Sequence, residues 1–405
     1  MERKRLITRT GSIFLVLLLV ALSFVVACGG EAPPSGQKTL RVGMILGLTG
    51  FFSVREVPDM NQSKYAADMI NEQGGITVKG EKYLIELVPE DTKSTMDGVT
   101  AAANKLVFDE GIKFIIGPTA FFAAAAGPVC DPNKALRVLT WSSNTPGELD
   151  ANTPYAFLAT NASVASSAAL VKFLKNKYPD VEKVAIVAPD AGISNLIGIA
   201  KNLLEAEGIS VVGDVTLYPN EMQDFSPIVT KLNAIKEADA IFMQNGLGPH
   251  IGSIVKGLRE LGNNKPYVAS LLTSINEITA IAGKEATRDV ATTLLMVDDP
   301  AIPPMAKEII DRTVAEYGAD YPLQFTGANS VWVLAQVIEE AQSLDPTVVK
   351  EKWESMSEVE TIFGTGIVCG DETFGIKHHV VAHPQAIQFL KNDVVASEWI
   401  DVYIP

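Results

Sequence analysis

The sequence predicts an α/β fold: two doubly wound parallel-sheet lobes joined by a multi-strand hinge. Short apolar runs alternate with helical patterns, the alternation restarts near residue 183, and helices and then strands follow once both rounds are complete. Runs that are apolar throughout and separated by such helices are parallel strands covered on both faces by crossover helices. A tail that follows two complete rounds is explained by the chain crossing back between the lobes, and several crossovers make a hinge.

The pattern is preceded by a leader. Arg3, Lys4, Arg5 and Arg9 stand before an apolar run at 13–26 that ends in Val25-Val26-Ala27-Cys28-Gly29. A positive start, an apolar centre and a small-residue end predict a secretory signal over 1–27. As a helix the run rises only about 21 Å against a hydrocarbon core of ~30 Å, so a cleaved signal is favoured over a permanent span. Cys28 after the small residues resembles the lipobox of bacterial lipoproteins, whose cysteine is acylated; the alternative is an ordinary signal with a chance cysteine. Residues 28–38, rich in Gly, Pro and Ser, are expected to be a lipidated flexible tether.

Structure is expected from residue 39. The first lobe is assigned to 39–157 plus 297–358. Strand 40–46 leads to helix 59–71, closed by Gly74-Gly75; strand 83–88, helix 96–108, strand 114–116, helix 123–129 and strand 138–140 follow. The second lobe is assigned to 158–296 plus 359–405. Its elements are strand 183–188, helix 194–206, strand 210–217, helix 227–235, strand 238–244, helix 250–261 and strand 267–270. Ser226-Pro227 reads as an N-cap with proline at the first helical position. Helices 304–317, 326–341 and 347–355 and strands 366–369, 379–382 and 387–390 complete the chain.

Removing the leader leaves 378 residues, enough for two domains. Taking its four basic and one acidic residues from 33 and 48 leaves a net charge of −18. So acidic a body repels polyanions, which excludes nucleic acid as a partner. No further apolar run approaches membrane-spanning length, so the lipid is the expected membrane contact. Cys130 and Cys369 lie in segments of different character; a bridge needs Cα atoms within about 7 Å, and buried free thiols are the favoured reading.

Gly47-Leu-Thr-Gly50, Ile70-Asn-Glu-Gln-Gly-Gly-Ile76, Ala103-Asn-Lys-Leu-Val107, Gly111-Ile-Lys-Phe-Ile-Ile-Gly117 and Asp224-Phe-Ser226, in this order and spacing, resemble the leucine/isoleucine/valine-binding protein family, solute receptors of ABC transporters with a type I periplasmic-binding-protein fold. The resemblance runs from Leu40 to the C-terminus. It implies a monomer that closes on a small solute and delivers it to a membrane permease and its ATPase.

Position by position, the family's carboxylate-holding loop matches Ser142, Ser143 and Asn144. Thr145-Pro-Gly-Glu148 follows as a capping box with proline in the first turn, so the loop ends at a helix N-terminus that favours an anion. The alternative is that these residues only satisfy the turn and cap. The family's hydroxyl after the third strand matches Phe121, beside Phe122. Its second-lobe aromatic contacts match Ile193 and Leu247, and its acidic ammonium acceptor matches Leu271. An ammonium buried against leucine has no compensating partner, whereas an uncharged carbon skeleton suits Phe121, Phe122, Ile193, Leu247 and Leu271. The expected ligand is therefore a small hydrophobic or aromatic carboxylate. Arg55 either clasps that carboxylate or pairs at the surface with Glu56 or Asp59. Trp141 either stacks on an aromatic ligand or plugs the interlobe floor.

A branched-chain amino acid receptor with its ammonium contact moved, for instance to Asp190, is the first rival reading, and a sensing module without transport is another. His378, His379, His383 and Cys369 resemble a metal cluster in composition, but strand alternation turns His378 away from the other two. The glycines of Gly246-Leu-Gly-Pro-His-Ile-Gly252 lack the spacing of a dinucleotide fingerprint. With no nucleophile elbow or P-loop, no catalytic residue, cofactor or metal is assigned.

Overall fold

The computed structural model describes residues 38–141, 148–161, 163–190, 194–294 and 299–404. In chain order, β1 (Lys38–Leu46) leads into α1 (Ser53–Glu72); β2 (Ile76–Val78), β3 (Glu81–Asp91), α2 (Met96–Asn104), β4 (Phe114–Ile116), α3 (Ala123–Cys130), β5 (Leu136–Leu139) and β6 (Ala156–Leu158) follow. Next come α4 (Ser163–Lys177), β7 (Lys183–Pro189), α5 (Ser194–Ala206), β8 (Ser210–Val211), β9 (Thr216–Tyr218), α6 (Ser226–Ala234), β10 (Ala240–Met243), α7 (Gly248–Glu260), β11 (Tyr267–Leu272), α8 (Ile275–Ala282), α9 (Lys284–Thr287) and β12 (Val290–Thr293). The chain ends with α10 (Pro304–Tyr317), α11 (Thr326–Ala341), α12 (Pro346–Ser355), β13 (Glu358–Thr361), β14 (Gly364–Cys369), α13 (Asp371–Phe374), β15 (Val380–Ala382), β16 (Gln385–Lys391) and β17 (Val394–Ile400).

Two sheets carry these strands. The first runs β2-β3-β1-β4-β5-β6-β15-β14-β13, with β1, β4, β5, β6 and β15 parallel. The second runs β8-β7-β10-β11-β12-β16-β17, with β7, β10, β11 and β12 parallel and β16 and β17 antiparallel. Every residue of β4, β5, β10 and β12 is buried, as strands covered on both faces require. The chain passes between the sheets after β6, after β12 and after β15, so the expected hinge of several crossovers is present.

Several expectations are corrected. Residues 359–382 were assigned to the second lobe, yet β15 pairs with β6 and β14 with β15, so this stretch extends the first sheet. The expected strand 210–217 is two pieces, because Gly213 at φ 68° turns the chain between β8 and β9 while both stay on β7. Helix 96–108 gives way after Asn104 to a π-turn, Lys105–Asp109. Ser226 does not cap its helix; the Asp224 carboxylate accepts the Ser226 N–H at 2.9 Å, and Pro227 stands in the first turn. Cys130 and Cys369 are buried free thiols.

Candidate ligand cleft

Parallel strands end in loops at their carboxyl edges, and two such edges joined by crossovers enclose a cleft between them. A cavity of about 200 Å³ lies there. Arg55 lines it from the first turn of α1, Trp141 from the turn after β5, Asn245 from the turn after β10, Ser270 from β11 and Leu294 from the end of β12. The crossovers contribute Thr160, Asn161, His383 and Pro384, and Phe363, Gln385 and Trp399 come from the hairpins beside them.

The first-lobe wall is Leu323-Gln-Phe-Thr326, and α1 holds it in place. Gln62 Oε1 accepts from the N–H groups of Gln324 (2.8 Å) and Phe325 (3.0 Å), while its amide donates to Pro322 O at 2.9 Å. Asp59 accepts from Gly327 N–H and Thr326 Oγ1 at 2.8 and 2.7 Å, which satisfies the free amides at the start of α11. These bonds keep Phe325 in a left-handed conformation, φ 59°. Its ring meets Phe363 edge-on at 5.6 Å, and Phe363 also faces His383 at 4.6 Å and Trp399 at 6.3 Å.

The hinge floor is a hydrogen-bonded latch. His383 N–H donates to Asn161 Oδ1 at 3.0 Å, the Asn161 amide donates to His383 O (3.0 Å) and Gln385 Oε1 (3.2 Å), and Asn161 N–H donates to His383 Nε2 at 3.3 Å. Burial pushes the His383 imidazole down to about 4, so the ring is neutral and adds an aromatic face, not a charge. Asn329 bonds both Ala159 O and Ile362 N–H, and Asp299 accepts from Ser397 Oγ and Trp399 Nε1, so the crossovers and hairpins are fixed relative to each other.

Arg55 is the one charged side chain on the described wall. Its guanidinium lies 5.0 Å from the Trp141 ring centre, a cation–π contact, and it forms no salt bridge among the described residues. The expected alternative of pairing with Glu56 or Asp59 is met only at longer range: the Arg55 charge favours the ionised form of both carboxyls, but neither forms a salt bridge with it. Glu56 accepts from Gly47 N–H and Asp59 caps α11. No aspartate or glutamate stands on the described wall.

Of the remaining expected site residues, Phe122 is packed in the core between α2, α3 and β4 and does not reach the cavity. Phe121 stands on the rim against Phe52 and Phe122, 61% exposed, and Leu247 is exposed at the start of α7; neither lines the cavity. Asp190 is exposed and also off the wall. Ser142, Ser143, Asn144, Ile193 and Cys28 lie outside the described residues, as does the Leu271 side chain. Thr160, Asn161, Asn245, Ser270, Phe363, His383 and Trp399 were not anticipated. Thr160, Asn161 and His383 lie beside the β6–β15 pairing, which spans more than 200 residues, and the other four sit on or beside strands and hairpins whose sequence does not mark which end faces a cleft. The cavity lining is mainly apolar, with amides and hydroxyls set between the rings. No set of three or more His, Cys, Asp and Glu among the described residues is arranged to hold a metal. His379 instead bonds Ala156 O and Glu354 and stacks on Phe157 at 3.9 Å.

A family model described as periplasmic binding protein matches residues 39–393, nearly all of both sheets. The chain belongs to the periplasmic binding protein family. The resemblance read from the sequence is thus borne out, together with the type I fold of two lobes. Solved structures share this protein's fold. The branched-chain amino acid transporter substrate-binding protein LivJ from Streptococcus pneumoniae, in complex with isoleucine, has TM-score 0.62 at 19% identity over 90% of this chain and 100% of that one. An ABC transporter substrate-binding protein from Sphaerobacter thermophilus has TM-score 0.68 at 17% identity over 91% and 99%. A solute-binding protein of an ABC transporter from Rhodopseudomonas palustris BisB5, in complex with 3,4-dihydroxy benzoic acid, has TM-score 0.61 at 18% identity over 90% and 98%. No helix among the described residues of this periplasmic binding protein is long and apolar enough to cross a membrane.

Proposed function

We propose that this periplasmic binding protein is the extracytoplasmic, lipid-anchored receptor of a branched-chain-amino-acid-type ABC importer, and that it captures a small hydrophobic or aromatic carboxylate. The observation that carries the ligand class is the Arg55 guanidinium on Trp141, without a salt bridge among the described residues, in a wall with no described carboxylate. A guanidinium in a partly dehydrated cleft is stabilised by a carboxylate that it can grip with two N–H groups. An α-ammonium would find only neutral groups there, and an unpaired buried charge costs several kcal/mol. Phe325, Phe363 and Trp399 supply the surface against which an aryl or branched skeleton is buried as the lobes close. The leader and Cys28 support export and anchoring, and the likeness to ABC transporter proteins supports delivery to a permease and ATPase.

The likeness to LivJ with isoleucine favours one second reading, a branched-chain amino acid receptor with its ammonium contact relocated. A thermal-shift screen of the exported chain separates the two. Aryl and branched carboxylates are expected to stabilise it, by about 2.7 kcal/mol at a hundredfold excess over Kd, more than leucine, valine or glutamate do. Arg55→Gln should abolish that gain. Preferential stabilisation by leucine, lost in Asp190→Ala, would establish the second reading instead.

A further inference from the structure

The cavity wall carries hydrogen-bonding groups that a carboxylate on an apolar skeleton leaves unused. Thr160, on the first crossover, is 3% exposed, and its hydroxyl has no hydrogen-bond partner among the described residues. Asn245, after β10, is held with φ 63° by a 3.0 Å bond from its N–H to Ser270 Oγ, while its carboxamide makes no hydrogen bond among the described residues. The neighbouring amides of Asn161 and Gln385 are committed to each other and to His383. A buried hydroxyl left without a partner destabilises the fold. Valine would fill the same space without that cost.

We propose that the hinge wall is a subsite for an uncharged hydrogen-bonding group of the ligand, a hydroxyl or carbonyl on its skeleton apart from the carboxylate, met by Thr160 and Asn245. The inference rests on the reading of the cavity as a carboxylate site and narrows it to hydroxylated or oxo-substituted acids. Thr160 Oγ1 is screened from water in this conformation. The residue stands on the crossover after β6, so lobe closure is required to bring the hydroxyl into contact with the ligand. A site built to hydrogen-bond a substrate hydroxyl discriminates strongly against the analogue that lacks it, since its own polar groups are then left unpaired.

The test is calorimetric titration of the exported chain with benzoate and with the three isomeric hydroxybenzoates. At least one isomer is expected to bind about tenfold or more tightly than benzoate. Thr160→Val, which keeps the side chain's shape, and Asn245→Gly, which keeps the left-handed backbone accessible, should each bring that isomer to within about threefold of benzoate measured on the same variant. Equal binding of benzoate and every isomer by the unmodified protein, or a preference that survives both substitutions, overturns the subsite alone. If benzoate and all three isomers fail to bind, the subsite falls, and the carboxylate reading falls with it when the branched carboxylates of the thermal-shift screen fail as well.

Discussion

Glu56 is 4% exposed at the start of α1, with one carboxylate oxygen accepting from Gly47 N–H and the other without a partner. Burial raises the carboxyl from 4.5 to about 7; the Gly47 bond opposes the rise and Asp59 adds to it. Because the folded state retains a proton that the unfolded chain has released, stability falls as pH rises from 4.5 to 7. At about 1.4 kcal/mol per unit the interval amounts to roughly 3 kcal/mol. Glu56→Gln keeps an acceptor for Gly47 and cannot ionise, so we expect it to stabilise the protein by about 1–3 kcal/mol at pH 8 and to be near neutral at pH 4.5. Denaturant unfolding at the two pH values checks this; an equal effect at both would rule it out. At this scale the sequence was legible for Arg55 in the first turn of α1 and for Trp141 just past β5, both of which line the cavity. It was illegible for Glu56, read as a surface partner of Arg55, because burial depends on how the β1 and β3 loops fold over the start of α1.

At the scale of elements, the cavity wall depends on how α1 meets α11. A Cβ at Gly327 would collide with Ser63 Oγ and stand 3.2 Å from Asp59 Oδ2, so the two helices approach at a distance only glycine allows. Gly327→Ala should therefore cost about 1–3 kcal/mol by overpacking. Ser63→Ala removes the colliding atom, so the double variant is expected to lose less than the two single losses combined. Strict additivity in equilibrium unfolding would show that the hydroxyl is not what excludes alanine. Elements with long periodic patterns were read closely, including α5, α10 and α11, whose observed bounds match the expected ones. The three-residue β6 and the helix α4 after it were not anticipated. β6 is identified as a strand by pairing with β5 and β15.

Over the whole molecule, the hinge latch sets a second pH dependence that opposes that of Glu56. His383 donates from Nδ1 to Pro384 O at 2.8 Å and accepts the Asn161 N–H at Nε2, so protonation removes the acceptor that joins the first and third crossovers. Its folded value, about 4, lies below the ordinary 6.5. The unfolded chain therefore takes up the proton first, and stability rises with pH from 4 to 6.5 and is fully present above that. Glu56 works in the reverse direction over nearly the same interval, so in the unmodified protein these two terms largely cancel. Removing either one exposes the other. Relative to the unmodified protein, Glu56→Gln should gain stability progressively from pH 5 to 6.5, and His383→Gln should lose it over the same interval, each by roughly 2 kcal/mol. Groups common to all three proteins drop out of these differences, so chemical unfolding at pH 5, 5.5, 6 and 6.5 isolates the two residues. Parallel profiles for all three proteins would show that neither group changes its proton occupancy on folding. The hinge would then owe its order to packing around Phe363 and Trp399 and not to a neutral His383.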